Sequence, residues 1–253
     1  MKIEQFKDKS NWIAARGIGG TDLYSIINKQ GKWGDFITLY DKLTAPTLNG
    51  AQNAQKGAKN NIAMENGKRA EQSIRELFLI ARPDLTNINP ACEWWLVRSK
   101  TLPELTISPD TLVKDTRGNI GFVELKLKQF YNADKIADYL TDLKDNEPQY
   151  YWQLIHYFVV IDECQFGYIV VAFNLLKKDD QGHWQHDKYI IDSAKIERAD
   201  VTDDIELARR ELTDFITNNL KAKKRPRTLT ENQQKKENKI EWIKLSNIQR
   251  LKH

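Results

Sequence analysis

The sequence predicts an α/β domain with a central mixed β-sheet flanked by helices, and three stretches carry that prediction. Thr106 to Lys126 reads as two short strands, TISPDTLV and IGFVELKL, joined by the polar turn KDTRGN. Glu147 to Ile161 (EPQYYWQLIHYFVVI) has apolar residues at helical spacing and Pro148 where a first-turn proline belongs. Phe166 to Phe173 (FGYIVVAF) is β-branched and aromatic, as a buried strand should be. Strands and helices alternating in this way pack as a sheet with helices on its faces.

The remaining elements follow in chain order. WIAARGIGGTDLYSIIN, Trp12 to Asn28, places three glycines before a helix that Thr21 or Asp22 can cap. The polar stretch from Thr44 to Ala63 is long for a connection inside a domain and reads either as a segment near a ligand or as a surface insertion. Met64 to Ala81 is a helix with Ile74, Leu77, Phe78 and Ala81 on its apolar side. A run of strands begins at about Trp94 and includes the hairpin. After Phe173, DDQGHW supplies a turn and KYIID a further strand, and Glu197 to Leu220 is a periodic helix with acids in its first half.

Length and composition bound the function. The 253 residues make about one large domain, and two cysteines imply no disulfide framework and a reducing compartment. The stretch MKIEQFKDKSNW lacks the apolar core of a secretory signal, and no apolar run is long enough to span a bilayer. A cytoplasmic protein with no membrane partner is expected. The net charge of +4 is unevenly spread: residues 221–253 carry 11 Lys or Arg against 3 acids, so the preceding 220 residues are net acidic. We therefore expect a domain over residues 1–220 and a basic tail over 221–253. The run KAKKRPR, Lys221 to Arg227, is either a phosphate-binding arm or a solvated linker. Trp242, Leu245, Ile248 and Leu251 beyond it recur as on a short amphipathic helix.

The chemistry concentrates on the hairpin. Side chains on a strand alternate, so Glu124 and Lys126 share a face, and the turn brings Asp110 within reach of Glu124. Two carboxylates and an ammonium on otherwise apolar strands are costly for stability alone. They suit a divalent metal held by the acids with the lysine beside an attacking water, the arrangement of a metal-dependent nuclease. Hard cations such as Mg²⁺ prefer such oxygen ligands, and no clustered thiol or imidazole set favours zinc. Gln149, Gln153, His156 and Tyr157 form one stripe of the Glu147–Ile161 helix, facing either a substrate or, for His156 and Tyr157, the core. Glu71 lies at the margin of an apolar helix face, where it completes a metal site or pairs with Lys68 or Arg75. The glycine turn before a helix is a potential anion site, and Arg16 beside it offers a fork of donors for a phosphate.

In this order, W-x-x-x-R followed by GIGGTD, then GKRAE, SPDTLV, ELK and YYWQLIHY, the chain resembles the YqaJ/lambda-exonuclease branch of the PD-(D/E)xK nuclease superfamily. The matching stretches span Trp12 to Tyr157, and Gln153 with Tyr157 also fits the Q-x-x-x-Y element of RecB-type nucleases. The resemblance implies a restriction-endonuclease-like core. It further implies that Asp110, Glu124 and the carbonyl of Leu125 bind Mg²⁺ or Mn²⁺, with Glu71 completing the set. Lys126 would orient or deprotonate the water, and Gln153 would support the lysine or the scissile phosphate. Arg16, with Thr21 nearby, would hold a 5′-terminal phosphate. Similar proteins are 5′→3′ exonucleases on double-stranded DNA ends; several form toroidal trimers and work with a single-strand annealing recombinase. Two other readings stay open: a site-specific or structure-selective endonuclease on the same core, and a non-catalytic DNA-end-binding module.

Overall fold

A computed structural model describes residues 1–28, 36–45 and 62–226. The Thr44–Ala63 stretch lies mostly outside these residues, as do Arg227, the amphipathic segment beyond it and the Lys68 side chain. The predicted α/β architecture is present, with two sheets in place of one. The larger is mixed and five-stranded: β2 (Leu85–Asn87), β5 (Thr111–Asp115), β6 (Ile120–Phe130), β7 (Cys164–Lys178) and β8 (Trp184–Glu197), neighbours in that order. Within it only β6 and β7 run parallel. The smaller is antiparallel, β1 (Lys2–Phe6), β3 (Trp94–Arg98) and β4 (Thr106–Ile107).

The β5–β6 hairpin forms because its turn satisfies its own backbone. The Asp115 carboxylate accepts from the N–H groups of Arg117 and Asn119 at 2.9 and 2.8 Å, and Gly118 adopts a φ of 88° that a side chain would resist. Parallel pairing of β6 with β7 then demands a crossover. The chain supplies it with α5 (Ile136–Thr141), α6 (Leu143–Asn146) and α7 (Pro148–Val160).

Alternation on β6 assigns the helices to opposite faces of the sheet. Phe122 packs with Tyr157 and Phe158 of α7, in the core that also buries Leu23 and Ile26 of α2 (Gly20–Asn28). Val123 and Leu125 point the other way, into a core with Ile74 and Phe78 of α4 (Ile62–Ala81). Short helices α1 (Lys9–Ala15) and α3 (Phe36–Thr44) complete the N-terminal part.

Several boundaries differ from the sequence reading. β1 was not foreseen, and it forms only because β3 offers a partner edge. Strands β7 and β8 extend well beyond Phe166–Phe173 and KYIID, because each pairs with the other over nearly its full length. Glu197 ends β8 and does not begin a helix. A tight turn, Arg198–Val201, intervenes, and α8 (Thr202–Phe215) starts only after it. Arg198 fixes that break by donating to the carbonyls of Phe158, Ile161 and Cys164. The helix ends in a wider π turn, Ile216–Lys221. At the start of the basic tail Lys221 pairs with Glu104, and Arg225 with Asp41. Among the described residues no helix is long and apolar enough to cross a membrane.

Candidate active site

The glycine turn is locked to the start of β4 by three hydrogen bonds. Ile18 N–H donates to the Glu104 carbonyl at 2.9 Å, Thr106 N–H to the Ile18 carbonyl at 3.0 Å, and Gly17 N–H to the Thr106 hydroxyl at 2.8 Å. Stretches almost ninety residues apart thus become one unit, and the chain passes from β4 directly to Asp110. A second clamp is Asn89, which accepts from Leu112 N–H at 2.6 Å and donates to the Asp110 carbonyl at 3.3 Å. Asn89 was not foreseen; its only sequence signal is a turn-like Asn-Ile-Asn-Pro stretch, which names no target.

Glu124, only 5 % exposed, sits at the centre. It accepts from the Lys126 ammonium at 2.5 Å, from the Gln153 amide at 2.6 Å and from the Tyr157 hydroxyl at 2.8 Å. Gln153 also donates to Tyr157 at 2.9 Å. Two of the four residues in the predicted stripe of α7 therefore face the carboxylate. His156 does not: its fully buried ring packs under the turn, near the backbone of Ile18 and Thr106. Close approach of α2 to α7 needs Gly20, where a Cβ would lie 2.7 Å from Gln153 and 2.9 Å from Tyr157.

Asp110 stands beside this cluster and accepts from Leu125 N–H at 2.7 Å. Burial, and then the charge of Glu124, push its carboxyl well above the usual carboxylate range. For Lys126 burial alone would lower the ammonium, but the Glu124 carboxylate outweighs it and the group lies above its ordinary value. The Tyr157 hydroxyl is pushed well up by burial and by Glu124, so it stays a donor.

Asp110, Glu124, Gln153 and Tyr157 open into a cavity of 810 Å³ that also takes in Glu71, Arg16 and Thr21. Arg16 is exposed and lies over the Trp12 ring, 4.7 Å from its centroid. Thr21 is exposed as well; Asp22, and not Thr21, accepts from Gly19 N–H, at 2.8 Å. Glu71 forms no ion pair among the described residues and acts on Asp110 only through space, raising its carboxyl further. Trp94, 5.4 Å from Trp12 between ring centroids, is a further aromatic wall that sequence reading missed.

Among the described residues no three His, Cys, Asp or Glu side chains converge closely enough to hold a metal ion between them. The site nevertheless fits a hard divalent cation. Its donors are oxygens, two carboxylates crowd a poorly solvated position against a single ammonium, and the Gln153 carbonyl oxygen is buried with no partner.

A family model described as the YqaJ-like viral recombinase domain matches residues 11–163. The chain belongs to this family. Among solved structures it is similar to an alkaline exonuclease (LHK-Exo) from Laribacter hongkongensis, with a TM-score of 0.50 and 18% identity over 85% of this chain and 97% of that one. LHK-Exo in complex with dAMP matches with the same TM-score and identity, over 83% of this chain and 94% of that one. No curated protein matches the chain by sequence. At this identity the structural likeness speaks for the fold.

Proposed function

We propose that this protein is a divalent-metal-dependent exonuclease that degrades linear double-stranded DNA 5′→3′ from 5′-phosphorylated ends, in recombination or DNA processing. The observation that carries the reading is the Glu124 carboxylate, held by Lys126, Gln153 and Tyr157 beside Asp110 in a cavity that Arg16 also lines. Family membership and the exonuclease named among the structural relatives support it. The nuclease domain is assigned to residues 1–220 and a basic, DNA-tracking tail to 221–253. A homotrimer, a single-strand annealing recombinase as partner and a cytoplasmic location complete the proposal.

Asp110, Glu124, the Leu125 carbonyl and Glu71 would hold Mg²⁺, with Mn²⁺ as a substitute. Such a cation supplies Lewis acidity, lowering the pKa of water and screening the charge that develops on the phosphate. Lys126, paired with Glu124, orients or deprotonates the attacking water and offsets negative charge. Gln153 and Tyr157 fix the Glu124 rotamer so that little reorganisation is needed at the moment of reaction. Arg16 and Thr21 receive the terminal phosphate. Reusing that pocket after every cut requires each new 5′ end to carry a phosphate, so water attacks phosphorus and the bond to O3′ breaks.

The test is digestion, with Mg²⁺, of linear duplex DNA labelled at either end beside the same DNA closed as a circle. Wild type and Lys126→Ala are compared on 5′-phosphate and 5′-hydroxyl ends. Loss of phosphorylated linear DNA with the circle spared and the variant inactive supports the proposal. Cutting of the circle points to the endonuclease, and binding without any cutting to the non-catalytic module.

A further inference from the structure

Arg75 stands on α4 one helical turn beyond Glu71, and both line the cavity. That spacing suits an ion pair, yet among the described residues Arg75 makes no hydrogen bond or salt bridge, and its Nε is buried without a partner. A buried donor left unmet is costly, and a guanidinium is the side chain best shaped to grip a phosphate with two parallel bonds. An unmet guanidinium donor in a cavity wall therefore points to an anion that arrives with the substrate.

The two arginines reach the cavity from different sides. α4 packs on the sheet face that carries Val123 and Leu125, whereas α2, which follows the Arg16 turn, packs with α7 on the face that carries Phe122. At 810 Å³ the cavity is in the size range that encloses a whole small ligand, so one phosphate does not fill it from both walls. We propose that Arg75 is a second phosphate ligand, gripping the non-bridging oxygens of an internal phosphodiester of the bound strand, distinct from the terminal phosphate at Arg16. The inference rests on the nuclease reading and adds to it the grip that holds the strand in register.

The experiment measures binding of a fluorescent duplex by anisotropy in Ca²⁺, across salt concentrations. It uses wild type, Arg75→Gln and Arg75→Lys, on duplexes with one neutral methylphosphonate linkage at each position near the 5′ end. Arg75→Gln is expected to bind about tenfold more weakly, on 5′-phosphate and 5′-hydroxyl ends alike, with a salt slope smaller by about one. Arg75→Lys should recover part of the loss. One methylphosphonate position should weaken wild type by the same factor and leave Arg75→Gln unaffected. Thermal melting should be no lower than wild type, because the folded protein loses no bond. Affinity equal to wild type, or a lowered melting temperature with no change in the methylphosphonate pattern, overturns the proposal while leaving the nuclease reading intact. A wild type that binds no duplex end overturns both.

Discussion

At its inner end the cavity presents Glu124 with three donors already in place, whereas elsewhere on its wall Arg16, among the described residues, stacks on the face of Trp12. The inner end is buried and polar, and the Glu124 carboxylate is fixed by its donors before any ligand arrives. The Arg16 wall is exposed and carries a cation whose hydrogen bonds are still to be made. The difference separates two tasks. Pre-set dipoles act on charge that appears only in the transition state, while open donors gain their bonds when a ligand binds. Substitutions at the inner end should therefore change rate, and substitutions at Arg16 should change affinity.

The largest test of that division is Lys126→Ala. Among the described residues it removes the one cation that touches Glu124, and it leaves the Arg16 wall untouched. We expect a fall of about 10³-fold in the single-turnover rate on linear duplex, with affinity in Ca²⁺ within about threefold of wild type. A comparable loss of binding would break the comparison, because it would make Lys126 part of the grip.

Next in size is a pH effect at the seam, where His156 lies under the glycine turn. Burial lowers its pKa to about 4, so the folded protein refuses a proton that the unfolded chain accepts near 6.5. The folded state binds fewer protons there, so stability is full above about pH 6.5 and is lost as pH falls, by about 3 kcal/mol at pH 4. His156→Leu should flatten that slope in urea melts. Asp110 works in the opposite sense, since its folded pKa is raised: without divalent metal, its contribution to stability grows as pH falls through that raised range. Asp110→Asn should therefore be more stable than wild type at pH 7 and show a smaller gain on acidification. A site kept at the expense of stability is what a functional carboxylate looks like.

Gly20→Ala tests whether the pre-set geometry depends on how closely α2 approaches α7. The added methyl meets Gln153 and Tyr157 at distances that force movement of the two side chains holding Glu124. We expect a loss of about 1–3 kcal/mol in stability, together with a lower rate at saturating DNA. A variant that loses stability but keeps its full rate would show that the Glu124 donors act only as packing.

How much of this was legible in sequence follows the same divide. Glu124 and Lys126 share a face by strand alternation alone, and the turn residues Asp115 and Gly118 announce the hairpin. Pro148 and the apolar spacing mark α7, and its stripe already held Gln153 and Tyr157. What that stripe faces was not legible, because Glu124 meets it only through long-range packing of α7 on β6. The turn–strand lock of Ile18 with Thr106 was equally hidden, since backbone bonds carry no residue signature. Polar Gln185, His186, Asp187 and Ser193 masked the length of β8, because an edge strand with an exposed face tolerates polar residues that composition reads as loop.

The smallest effect should come from Arg16→Ala, and it sharpens the comparison most. Arg16 is exposed, and among the described residues it stacks on the face of Trp12, so its removal should leave melting temperature unchanged. Deleting one charge-assisted hydrogen bond to a ligand at an accessible site costs about 1.5 kcal/mol, close to tenfold in affinity. That weakening should appear on 5′-phosphorylated duplex and vanish on 5′-hydroxyl duplex, so the variant treats the two ends alike. Arg75→Gln should weaken both ends equally, which separates the two arginines without any structure of the complex. If Arg16→Ala still prefers phosphorylated ends by the wild-type ratio, the terminal phosphate sits elsewhere on the wall, and the Lys9–Trp94 side becomes the place to look.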